Sequence, residues 1–153
     1  MNYSDEPGLT LKETQMTTTG RQIRGAFDLA ATYVQLDDGP AAVAVDVDAD
    51  FWEKIDRRPE LQGGRLVGTF HNATDWKTWE MHPAGDEVVC LLSGAIDVVL
   101  EEESGERTME LVAGQTCIVP RGVWHTANVR TPGDTLHITR GAGTQHRPRS
   151  ATS

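Results

Sequence analysis

Cysteine is nearly missing from the 153-residue sequence, which holds only Cys90 and Cys117. Two thiols, each inside an apolar stretch, have neither the number nor the spacing of a disulfide framework or a zinc knuckle, so buried free thiols are expected. Basic residues are also scarce. Fourteen Lys and Arg stand against 23 Asp and Glu, and the resulting net charge of -9 repels phosphate backbones and anionic lipid. Nucleic acid and membrane surfaces are therefore not expected partners, and no basic helix-turn-helix stretch is present. Long hydrophobic runs are lacking as well. Ala41 to Val45 and Val88 to Leu92 are five residues each, far short of the ~20 that cross a bilayer. The opening Met1-Asn2-Tyr3-Ser4-Asp5-Glu6 has neither the basic nor the apolar region of an export signal, so the expected location is the cytoplasm.

What is present is a succession of short β-rich runs. Residues 1–25 are polar and Thr-rich and residues 141–153 are polar and basic, and both are expected to be flexible. Residues 26–64 read as added strands and one short helix. Thr32 to Leu36 and Ala42 to Val47 flank Asp37-Asp38-Gly39-Pro40, strong turn chemistry. Asp50-Phe51-Trp52-Glu53 has capping-box spacing, predicting a helix near 50–57 that Pro59 ends. From 65 to 140, strands are expected at 65–71, 76–82, 86–92, 95–101, 107–112, 115–119, 123–129 and 134–139. They are separated by breaks such as Pro83-Ala84-Gly85, Ser93-Gly94, Ala113-Gly114, Pro120-Arg121-Gly122 and Pro132-Gly133. Strands at this spacing predict an all-β sandwich or barrel. Glu101-Glu102-Glu103 reads as a solvated hairpin tip.

One constellation carries chemistry. Alternation puts Glu80 and His82 on one face of their strand and Trp79 and Met81 on the other. Pro83 and Gly85 let the chain turn into a returning antiparallel strand that sets Glu87 opposite His82. A later strand opens with Gly122-Val123-Trp124-His125. Imidazole and carboxylate together suit iron, manganese, nickel, copper or zinc.

These residues resemble the cupin superfamily. Its first motif, G-x5-H-x-H-x3,4-E-x6-G, is matched by Glu80-Met81-His82, four residues, Glu87, six residues and Gly94. Its second, G-x5-P-x-G-x2-H-x3-N, is matched by Gly114, five residues, Pro120-Arg121-Gly122, two residues and His125. The sequence departs at three places: Glu80 stands where the family has its first His, Thr74 replaces the preceding Gly, and Asn128 comes one residue early. The resemblance implies an antiparallel jelly-roll β-barrel over residues 65–140 with one divalent transition metal in its mouth. His82, Glu87 and His125 match ligand positions, forming a two-His, one-carboxylate set, and Glu80 is either a fourth ligand or a catalytic proton acceptor. Iron or manganese is favoured over zinc or nickel.

The expectation that follows is a metal-dependent enzyme acting on a small oxygen-bearing molecule. Dioxygenase-type chemistry is expected with iron, and isomerase, cyclase or decarboxylase chemistry with zinc or manganese. The competing class is a non-catalytic metal- or ligand-sensing barrel, and a weaker third is a metal-free isomerase using His82 and His125. His137, between Leu136 and Ile138, is expected as a satisfied structural histidine, and His71 and His146 as surface groups. Trp76, Trp79 and Trp124 are expected to pack in the core or at a subunit contact. Arg140, Arg147 and Arg149 are expected to be solvated. Edge strands near 32–47 and the family resemblance point to a homodimer.

Overall fold

The structure, a computed structural model, describes residue 23 and residues 25–150. The rest of the segment 1–25, read from sequence as flexible, lies outside the described residues, as do residues 151–153. Turn chemistry sets the strand ends, and eleven strands result among the described residues: β1 Thr32–Leu36, β2 Ala42–Asp46, β3 Arg65–Asn72, β4 Thr78–Met81, β5 Glu87–Leu91, β6 Ala95–Glu102, β7 Gly105–Val112, β8 Thr116–Val119, β9 His125–Thr131, β10 Gly133–Thr139 and β11 Gln145–Pro148. They form two antiparallel sheets, one of six strands in the order β2-β1-β3-β10-β5-β8 and one of five in the order β11-β4-β9-β6-β7. The two runs that flank the Asp37–Pro40 turn pair as the hairpin β1–β2, with Tyr33 opposite Val45.

Period-2 alternation turns one face of each sheet inward. Val89, Leu91, Cys117 and Val119 of the first sheet meet Ile96, Val98, Leu100 and Leu111 of the second, all buried. This core fills one end of the space between the sheets and leaves the other for polar residues. A second cluster, Tyr33, Val45, Phe51 and Leu61, seats the N-terminal layer, with Leu66 and Phe70 of β3 packed against it. Gly68 makes this seating possible: a Cβ there would lie 2.7 Å from the Tyr33 ring.

Two local expectations need correction. The capping box at Asp50 does not form, because the Asp50 carboxylate takes the Lys54 ammonium at 2.6 Å and makes no cap bond. The helix α1 is a single turn, Phe51–Lys54, followed by 3-10 turns at Ile55–Arg57 and Pro59–Leu61, and burial of Phe51 anchors it. The second correction concerns the tail. Residues 145–148 form β11, paired along β4 from Gln145↔Met81 to Pro148↔Thr78. Two of the three arginines read as solvated hold it there, while the third, Arg140, pairs with Asp38. The Arg147 guanidinium lies over the rings of Trp124 and Trp79, at 4.5 and 5.4 Å from their centroids, and donates to Glu101 at 2.7 Å. Arg149 donates to the carbonyls of Trp76 and Ala127 and to Asn128 Oδ1.

Arg149→Ala leaves the Trp76 carbonyl without that donor and should cost about 1–3 kcal/mol. Urea unfolding measures the loss, and amide hydrogen exchange should accelerate in β11 before it does in β10. An unchanged β11 exchange rate would contradict this account of the anchor.

Candidate metal centre

The second-motif turn brings the two halves of the site together. Pro120-Arg121-Gly122 reverses the chain with Gly122 at φ +77°, where a side chain is strained. The Gly122 N–H donates to the His82 carbonyl at 2.9 Å, and the Arg121 N–H donates to Asp86 Oδ1 at 2.8 Å. The following strand pairs with β4 so that His125 sits directly across from Glu80, while β11 places His146 across from Glu80 on its other side. One row of the five-stranded sheet therefore reads His146, Glu80, His125, Leu100. In the facing sheet the corresponding row reads Thr139, Glu87, Val119.

The expectation that Glu87 meets His82 across a hairpin is not how they meet. β4 and β5 part into different sheets at the Pro83–Asp86 turn, so Glu87 approaches His82 across the space between the sheets. The outcome is still a single cluster. Glu80, His82, Glu87 and His125 each present one donor atom, and these atoms all lie within 4.8 Å of one another.

Both imidazoles are oriented by hydrogen bonds at the far nitrogen. His125 Nδ1 lies 3.2 Å from the Val123 carbonyl, which can only accept, so Nδ1 carries the proton. The Thr144 hydroxyl spends its proton on the Gly141 carbonyl at 2.7 Å, so its oxygen accepts from His82 Nδ1 at 2.8 Å. Each ring thus turns Nε2 toward the cluster, the arrangement that prepares a histidine to bind a cation.

His82 Nε2 supplies the test of fit. It is buried and makes no hydrogen bond, although Glu80 Oε1 lies 2.8 Å away and Glu87 Oε1 3.4 Å away. Close contact off the hydrogen-bonding axis is what donor atoms show when they aim at a shared point rather than at each other. For bonds of about 2.1 Å at right angles, neighbouring donors sit about 3 Å apart. The donor set is two neutral imidazoles and two carboxylates without thiolate, which suits a divalent transition ion and balances its charge.

The electrostatics follow from burial and proximity. Burial works against the charge of Glu80, but His146 and His82 outweigh it and hold the carboxyl at about 2. Burial likewise works against a charged His82, yet Glu80 and Glu87 lift it to about 9. Glu87 is opposed by its own burial, but pairing with His125, His137 and His82 keeps it well below the usual carboxylate range. Burial and then Glu87 push the Cys117 thiol up to about 11, so it is inert, while Cys90 is only half-buried.

Two histidines contribute more than the sequence indicated. His137 is buried as expected of a structural group, but it lines the site: its Nδ1–H donates to Glu87 Oε1 at 3.1 Å and its Nε2 lies 2.9 Å from Thr135 Oγ1. His146, read as a surface group, lies 3.1 Å from Glu80 Oε2. Thr139 also donates to Glu87 Oε1, at 2.5 Å. Only the β10 and β11 pairings reveal these contacts, and no local pattern carries them. Of the tryptophans, Trp76 lines the cavity and stacks on His137 at 5.8 Å, while Trp79 and Trp124 clamp Arg147. His71 is exposed and pairs with Asp134, away from the cluster.

Two facing antiparallel sheets carry both motifs to one buried cluster between them. This is the antiparallel jelly-roll arrangement that the two motifs implied. No family model matches the sequence, and no curated protein is similar enough to match. Among solved structures, recombinant oxalate oxidase in complex with glycolate is similar at 18% identity over 53% of this chain and 45% of that one, with a TM-score of 0.46. Hydroquinone 1,2-dioxygenase PnpCD, in complex with Cd2+ and 4-hydroxybenzonitrile, is similar at 20% identity over 49% of this chain and 56% of that one, TM-score 0.42. A cupin superfamily protein from Desulfitobacterium hafniense is similar at 20% identity, with shares of 49% and 65% and a TM-score of 0.43. The matched region thus spans roughly half to two thirds of those chains. No helix among the described residues is long and apolar enough to cross a membrane.

The Glu80–His82 pair gives the metal-free protein a defined pH response. The Glu80 contribution to stability is complete above 4.5 and fades as pH falls toward about 2, whereas the His82 contribution is complete below 6.5 and is lost as pH rises through about 9. The stability difference between metal-free wild type and Glu80→Gln should therefore be largest between pH 4.5 and 6.5 and shrink by pH 9.5. Urea titrations across that range measure it, and a difference that stays constant up to pH 9.5 would contradict the pairing.

Proposed function

We propose that this protein is a metal-dependent cupin enzyme in which Glu80, His82, Glu87 and His125 hold one divalent transition ion, with iron or manganese favoured. The observation that supports it is the convergence of these four side chains, with His82 Nε2 buried among them without a hydrogen bond. A bound ion would supply a Lewis-acidic centre for an oxygen-bearing molecule, and, if iron, the redox chemistry of dioxygen. Zinc or manganese would direct the chemistry to isomerisation, cyclisation or decarboxylation instead.

The chain's own groups have definite parts in this reading. Glu87 and His125 are fully buried and fix the deep side, while Glu80 is part-exposed toward the cavity. Of the two carboxylates, Glu80 is therefore placed to receive a proton from a bound molecule, and the half-exposed His146 behind it opens to solvent. His137 and Thr139 orient Glu87. Trp76 and Phe70 shield the floor from water on the β3 side. We also propose that the working form is a homodimer, which would cover β2, paired among the described residues only with β1.

Elemental mass spectrometry on protein purified without an affinity metal should find close to one ion per chain, lost in both His82→Ala and His125→Ala. Because His82 carries a proton in the metal-free state at pH 7, loading there should release about one proton per ion, measured in weakly buffered solution. Wild type that stays empty after reconstitution with iron, manganese, nickel, copper and zinc would refute the metal reading. Sedimentation velocity should show a dimer, and a purely monomeric boundary would remove that part.

A further inference from the structure

The cavity above the cluster encloses about 460 Å3 and has two unlike halves. Its floor is polar, with Glu80, His82, Glu87 and Thr139, and its walls are Trp52, Ile55, Leu61, Leu66, Phe70 and Trp76. Among the described residues no Lys or Arg lines it, whereas Asp56 adds a third carboxylate at the rim. The cations nearby are engaged elsewhere, Arg140 with Asp38 and Arg58 with Glu60.

Charge therefore restricts what can enter. Two carboxylates and two neutral imidazoles around a divalent ion sum to zero, and the two further histidines of the lining, His137 and His146, already face Glu87 and Glu80, so a mono- or dicarboxylate brought onto the floor would add negative charge that no Lys or Arg of the lining meets. Uncompensated burial of an ion costs several kcal/mol. An uncharged molecule incurs no such penalty. The walls add a second restriction. Trp52 and Phe70 lie 5.9 Å apart between centroids, tilted by 40°, and Trp52 remains 52% exposed while packing on Phe51 and Tyr33. A large aromatic held half-open at the mouth of an apolar pocket is suited to covering a planar ring.

From these observations we infer that the site takes an uncharged ring compound bearing oxygen donors and discriminates against small carboxylate anions. This rests on the metal reading for what the oxygens meet, and on the cavity alone for the ring and the charge.

The test is calorimetric titration of the full chain, loaded with redox-inert zinc, using catechol, benzoate and oxalate as probes. Catechol should bind at least about tenfold more tightly than either anion. Trp52→Ala, at an exposed position, should weaken catechol binding several-fold with zinc content unchanged. Asp56→Arg, also exposed, should narrow the gap by improving benzoate binding, a gain that misfolding cannot produce. Oxalate or benzoate binding as tightly as catechol, no catechol binding to zinc-loaded protein, or no effect of Trp52→Ala would each overturn the inference. If the protein takes up neither zinc nor any of iron, manganese, nickel and copper, the metal reading fails by itself. The same titration on metal-free protein then decides the ring preference, with Trp52-dependent binding of catechol supporting it and no binding overturning it.

Discussion

The carboxylate of Glu87 is 1% exposed, and the rest of the molecule is arranged around keeping it charged. An anion at that depth costs several kcal/mol unless hydrogen-bond donors or cations surround it. Its partners come from different parts of the chain: His82 follows β4, His125 opens β9, and His137 and Thr139 lie on β10. No local segment provides this environment. It exists only when both sheets have formed and face one another, so the site and the fold are specified together. The hydrophobic core begins directly beside the carboxylate: Val119 pairs with Glu87 and Leu100 with His125, and Val89, Leu91, Ile96 and Val98 continue the packing from there.

Much of this was legible in the sequence because Gly and Pro punctuate it. The breaks at Ser93-Gly94, Ala113-Gly114 and Pro132-Gly133 locate strands β5 to β10 to within about two residues, and fixed spacing around Glu80, His82, Glu87 and His125 marks the cluster. What alternation cannot tell is which strand lies next to which. It gives the facing of a residue within its own strand, and register between strands is set by tertiary packing. That is why His82 and Glu87 were read as hairpin neighbours although they face each other across two sheets, and why His137 was placed on the right face without its bond to Glu87. β11 was missed for a different reason. Gln145-His146-Arg147-Pro148 has no apolar member to signal a strand, and its stability comes from cation–π contacts and carbonyl acceptors on distant residues.

The last strand also shows why a polar tail belongs to the site. Thr144 and His146 flank the start of β11, one holding the His82 ring and the other the Glu80 carboxylate. Anchoring by Arg147 and Arg149 therefore acts two steps away, on the orientation of two donor atoms. A loop of glycines, Gly141 and Gly143, gives the chain the freedom to bring both contacts to the same pair of residues. Under the proposed metal reading, affinity for the ion and the ordering of β11 would be coupled, since whatever frees β11 also frees His82 to rotate.

In the proposed function, two layers of the molecule would divide the work between chemistry and selection. The cluster is built by strands β4, β5, β9, β10 and β11, and its donors suit many small oxygen compounds. Selection falls to the N-terminal layer, because Trp52, Ile55 and Leu61 reach the cavity only through the Tyr33–Phe51 cluster seated against Gly68 and Phe70. Trp52 packs on Tyr33, Phe51 and Phe70 and touches none of the four donors, so its exchange can alter what the cavity admits without disturbing the donors beneath. Glu80 and Glu87 lack that freedom, since each is held by partners on several strands. Substrate preference in this fold should accordingly change at the aromatic mouth long before the charge-neutral floor can change at all.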